Sequence, residues 1–225
     1  MTYYYKILIF SFIIPFIFSF HPKLKFYKKF NLILKSIPIT ALPYIIWDIF
    51  FTKWEIWSFS NIHSSNIYIY NLPIEEVLFF LIIPFCCIYT FHALEIYNIS
   101  FFKSKNWKLI NTILAIILII IGVANYSRLY TLVCFVLCAA IILIISNIQN
   151  NIDYNLFYTF FIIIMIPFII VNGALTGAFF DQTVVSYNPN EFLGYRLITI
   201  PLEDIIYSYQ LMLVNIFIYK NLDTK

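Results

Sequence analysis

Asn71–Phe80 reads N-L-P-I-E-E-V-L-F-F, and Ile200–Tyr207 reads I-P-L-E-D-I-I-Y. In each, a proline, one aliphatic residue and two adjacent carboxylates stand at the start of a long apolar run. Proline is favoured at the first helical position, and acids in the first turn meet the positive end of the helix dipole. Both stretches therefore predict helix starts, with Glu75, Glu76, Glu203 and Asp204 where a helix enters something oily. The rest of the chain says what the oil is. Of 225 residues, 62% are hydrophobic, 21% aromatic and only 11% charged. A water-soluble fold of this size keeps a large wetted surface and cannot hide so much apolar side chain. Several runs approach the roughly 20 residues that cross a bilayer as helix. The chain reads as an integral membrane protein.

The apolar runs predict seven spans, near Tyr3–Phe20, Leu32–Phe51, Glu76–Tyr97, Leu109–Asn125, Leu129–Ile148, Tyr154–Val171 and Leu202–Tyr219. The first lacks a strongly basic start and a small-residue cleavage site, so it is expected to be a retained span rather than a leader. Two connections are long, about Thr52–Leu72 and about Asn172–Ile200, and each leads into one acidic motif. Lys6, Lys53, Arg128 and Arg196 fall on one side of the membrane, against the other ten of the 14 Lys and Arg residues. Basic residues gather on cytoplasmic connections, so the amino terminus is expected outside and the carboxyl terminus in the cytoplasm of the cell membrane.

The chain also repeats itself. Pro43-Y-I-I-W-Asp48-I-F-F-Thr52 aligns without gaps on Pro167-F-I-I-V-Asn172-G-A-L-Thr176, and the two acidic motifs follow. Spans two and three thus match spans six and seven. An offset of four spans is even, so both copies run in the same direction. Asp48, Asn172 and the four acids are then expected at one membrane face, with the two acidic corners turned to one pocket. The expected class is all-α, a polytopic membrane helix bundle of about seven transmembrane helices with an internal parallel repeat. Its expected organisation is residues 1–97 as a first repeat of three spans, 98–128 as a linking span, and 129–225 as a second repeat of three spans.

A helix start alone explains one Pro-x-Glu-Glu. Two copies, each after a polar residue closing the previous span, point to chemistry instead, because an acid held in a bilayer costs several kcal/mol. Neighbouring carboxyls in a poorly hydrated site hold one proton between them, since two like charges cannot both ionise cheaply. Such a site lends a proton to an apolar substrate and takes another back. Phe79, Phe80, Tyr207 and Tyr209 lie within two turns of the acids, and aromatic faces stabilise a carbocation. Arg196 is either an interface anchor or a partner for a motif carboxylate. The four glycines form no G-x-G-x-x-G and no P-loop, which excludes nucleotide folds. The four cysteines lie in apolar runs without C-x-x-C spacing, and no metal site is expected. No cofactor is expected.

Taken together, the paired P-x-E-[ED] helix starts, the P-x-x-x-W-D before the first and the N-G-x-L-T-G before the second resemble the membrane-integral lycopene cyclase domain family, in its fused form. The resemblance covers nearly the whole chain. It implies closure of the linear ψ end groups of lycopene to β-ionone rings. Glu75, Glu76, Glu203 and Asp204 become the implied catalytic acids and bases, and Asp48, Asn172 and Thr176 implied pocket residues; Arg196, Phe79 and Tyr207 are expected in the same pocket from their places beside the acids. Implied partners are lycopene and related linear carotenoids and the lipid bilayer, with self-association or contact with other carotenoid enzymes left open and no nucleic acid. Asp204 for a second Glu, and Asn172 opposite Asp48, make the halves unequal. The alternative is a seven-span transporter or proton-coupled channel that uses the same acids as a relay.

Overall fold

The computed structural model describes residues 1–148, 151–179 and 183–223; Lys225, counted among the basic residues, and the last two positions of the expected second repeat lie outside them. Seven helices cross or enter the apolar layer: α1 (Tyr3–Phe18), α2 (Phe30–Lys53), α3 (Ile74–Ile96), α4 (Trp107–Ala124), α5 (Leu129–Asn147), α6 (Tyr154–Leu175) and α7 (Leu202–Asp223). Each coincides with one expected apolar run. α2 through α6 are long and apolar enough to span. α1 is shorter, at 16 residues. α7 is the most polar, and its buried Gln210 and Asn215 face protein rather than lipid.

Local chemistry sets the boundaries. The Thr2 hydroxyl caps α1 by accepting from the Tyr5 N–H at 3.2 Å. The Asp153 carboxylate caps α6 by accepting from the Asn155 and Leu156 N–H groups. Side-chain oxygens at this position satisfy the donors that a helix start leaves unpaired. Prolines lie inside α1, α2, α3 and α6 without ending them, as packed membrane helices permit.

Packing follows the repeat. α1 lies on α3 as α5 lies on α7, while α2 crosses to α7 and α6 to α3, so the halves are interlocked. α4 packs chiefly on α5, where a Cβ on Gly122 would stand 3.1 Å from Val136 and 3.2 Å from Phe135. Small residues at such crossings let two backbones close up.

Among the described residues, three short antiparallel ribbons occupy the long connections, and the apolar runs gave no sign of them. β1 (Trp57–Phe59) pairs with β4 (Val185–Tyr187), β2 (Tyr68–Ile69) with β3 (Leu72–Pro73), and β5 (Arg196–Leu197) with β6 (Ile200–Pro201). In the first ribbon Ser58 faces Ser186, with Trp57 opposite Tyr187 and Phe59 opposite Val185. Residues 128 positions apart therefore meet at its centre, and a pseudo-twofold axis passes between the two serines. The same offset relates β2–β3 to β5–β6 pair by pair, and relates Tyr70 to Ile198, both with positive φ. The gapless match of α2 to α6 runs at an offset of 124, so the stretch from Thr176 to Val185 is four residues longer than its counterpart from Thr52 to Trp57.

Candidate active site

Beneath the first ribbon lies a partly open cavity walled by α1, α2, α3, α5, α6 and α7. Its volume is about 100 Å³, small beside the roughly 300–1,000 Å³ typical of small-molecule pockets. Three carboxyls reach it, Asp48 from α2, Glu76 from α3 and Asp204 from α7. All three are buried, at 2%, 8% and 6% exposure. Trp57, Phe59, Phe79, Phe80, Tyr130 and Tyr207 supply aromatic wall, and Asn172 and Thr176 close the α6 side.

The doublets split. Glu76 and Asp204 face the cavity, whereas Glu75 and Glu203 do not line it. Glu75 accepts from the Thr2 hydroxyl at 3.0 Å, the Ser65 N–H at 2.6 Å and the Ser65 hydroxyl at 3.0 Å. Glu203 accepts from the Thr131 hydroxyl at 2.6 Å and the Leu193 N–H at 2.8 Å. Ser65 and Leu193 are themselves 128 residues apart. In both copies the first acid ties the incoming loop and the start of α1 or α5 to its own helix.

Each second acid meets a phenol from the helix that opens its half. The Tyr4 hydroxyl donates to Glu76 Oε2 at 2.5 Å, and the Tyr130 hydroxyl donates to Asp204 Oδ1 at 2.6 Å. Asp204 Oδ2 accepts a second phenol, Tyr187, at 2.7 Å. Burial among Trp57, Tyr130 and Phe192 pushes the Tyr187 phenol well above its usual range, with the Asp204 charge adding to the effect. Tyr187 therefore keeps its proton and donates at neutral pH. The Trp57 indole N–H donates to Asp48 Oδ1, and the Asp48 and Glu76 carboxyls line the same cavity, where their charges interact.

Other expected residues take different places. Arg196 is exposed at the start of β5, outside the cavity wall, with its guanidinium 4.7 Å from the Phe192 ring centre and donating to the Thr199 carbonyl. Tyr209 turns away and donates to the Tyr158 hydroxyl. Thr176 lines the cavity and shares a 2.6 Å hydrogen bond with Thr199. Tyr4, Tyr130, Trp57 and Tyr187 were not singled out from sequence. One signal for two of them existed: spans one and five both open on a Thr and a Tyr, Thr2 with Tyr4 and Tyr130 with Thr131. In each half the threonine holds the first acid and the tyrosine the second.

Among the described residues no cluster of His, Cys, Asp and Glu is arranged to hold a metal ion. Neither the curated proteins nor the solved structures contain a match. The family described as Lycopene cyclase matches residues 1–94 and 127–222, passing over α4. The chain is a multi-pass helical membrane protein that belongs to the lycopene cyclase family, enzymes that act on carotenoids.

Proposed function

We propose that this protein is a lycopene β-cyclase that closes ψ end groups by acid–base chemistry inside the cavity. One observation carries the reading: Glu76 and Asp204, one from each half of the chain, reach a single buried space whose remaining wall is largely aromatic. Cyclisation asks for this combination. A proton added to the terminal double bond of the substrate leaves a tertiary cation, an internal double bond attacks it, and a neighbouring proton leaves to form the ring double bond. The sum is an isomerisation that consumes no cofactor. Aromatic faces at Phe79, Phe80 and Tyr207 stabilise the passing cation, and exclusion of water keeps it from being trapped as an alcohol.

Within this proposal Glu75 and Glu203 are positioning residues that hold the helix starts and loops, and Asp48, Asn172 and Thr176 shape the pocket. The two repeats are residues 1–97 and 129–225, with α4 as the span that lets both run in the same direction. The cavity then lies toward the outer leaflet, on the face that carries few lysines. Expression in a lycopene-accumulating bacterium, followed by pigment chromatography, tests the activity. Carotenes with β rings are the expected result, and a culture that keeps only lycopene would contradict the reading.

A further inference from the structure

Asp48 stands outside the doublet motif, and its surroundings differ from those of Asp204. Asp204 receives one phenol O–H on each oxygen, which matches an ionised carboxylate donor for acceptor. Asp48 receives the Trp57 N–H on Oδ1, but Oδ2 is buried and has no donor among the described residues. Its carboxyl neighbour in the cavity lining is Glu76, whose Oε2 already accepts from Tyr4. Two ionised carboxylates are both acceptors and repel each other. Their contact becomes attractive when a proton lies between them.

The pseudo-twofold relation sharpens this contrast. Tyr187, the second donor to Asp204, corresponds to Phe59 in the other half, and Asp48 corresponds to Asn172. All four line the cavity. One half therefore has a carboxyl partner and lacks the extra phenol, while the other has the phenol and lacks the carboxyl.

Resting on the cyclase reading above, we propose that the halves divide the proton work: the Asp48–Glu76 pair delivers the proton and Asp204, held by Tyr130 and Tyr187, removes it. Glu76 is the donor and Asp48 the positioning residue that shares its proton. In the first step the Glu76 O–H bond breaks and a C–H bond forms at the terminal double bond, leaving a tertiary cation. An internal double bond then supplies its electron pair to close the ring, and the cation moves to a ring carbon. Last, a neighbouring C–H bond breaks, its electrons form the ring double bond, and the proton goes to Asp204. The pair is then one proton short and Asp204 one proton rich; exchange of both with water between turnovers restores them, with no electron or proton gained overall.

The test uses the purified full chain in lipid vesicles with lycopene, with turnover expressed per folded molecule by gel filtration. Asp48→Asn is expected to lower kcat by about 100-fold, the low end for loss of general acid catalysis, with KM and ring double-bond position unchanged. Asp48→Glu is expected to recover part of the rate. Tyr187→Phe, which copies Phe59, is expected to keep ring closure but to shift part of the product to rings with the double bond at another carbon. Wild-type turnover in Asp48→Asn, or an unshifted ring isomer at undiminished rate in Tyr187→Phe, would overturn the division of roles while leaving the cyclase reading intact. Absence of any ringed product from the wild-type chain would remove both.

Discussion

Consecutive residues on a helix point roughly 100° apart, so an acid doublet cannot aim both side chains at one target. In both halves the first acid turns to the loop and the second to the cavity. The sequence made the doublets conspicuous but did not tell their members apart, because both motifs place two similar carboxyls in one helical turn. The structure separates them by partner, Ser65 and Thr2 for Glu75 against Tyr4 for Glu76. Glu75→Gln is therefore expected to lower stability by about 1–3 kcal/mol, the range for disturbing a buried hydrogen-bonded group. Thermal unfolding in detergent reads that loss, and turnover per folded molecule should stay within a few-fold of wild type. A stable variant without turnover would move Glu75 into the chemistry.

At the scale of elements, the seven helices were legible because each is an apolar run of bilayer length, and the even offset between repeats dictated that both acidic corners lie at one face. The ribbons were not legible. Strands of two or three residues are too short to show alternation, and their pairing is set by contacts across the pseudo-twofold axis. That pairing brings Trp57 and Tyr187 over the cavity from loops that looked merely polar. Both small hairpins carry strain as well. Tyr70 at φ 58° and Ile198 at φ 61° occupy the first turn position, where two-residue hairpins favour glycine. The left-handed region costs a side-chain-bearing residue roughly 1–2 kcal/mol, and a β-branched residue fits it poorly. Ile198→Gly is expected to stabilise the protein by about 1 kcal/mol, seen as a higher melting temperature with unchanged product. A lower melting temperature would show that the Ile198 side chain, 61% exposed here, makes a stabilising contact with its surroundings.

For the whole molecule, ion pairs and lysines gather at the end away from the cavity. Lys29 meets Asp223 and Lys220 meets Glu95 there, near the Lys23 amine over Tyr97. With that end in the cytoplasm, a cysteine at Ile62 should react with a membrane-impermeant maleimide in intact cells, and one at Lys105 should react only after lysis. Reversed labelling would invert the proposed orientation and move the cavity to the inner leaflet. The proposed chemistry itself depends on a proton that starts on a carboxyl exchangeable with water and ends in the ring. Mass spectrometry of the carotene formed from lycopene by the purified protein in D₂O tests this most directly. The account predicts one deuterium in each closed ring, and ringed product of unshifted mass would contradict it.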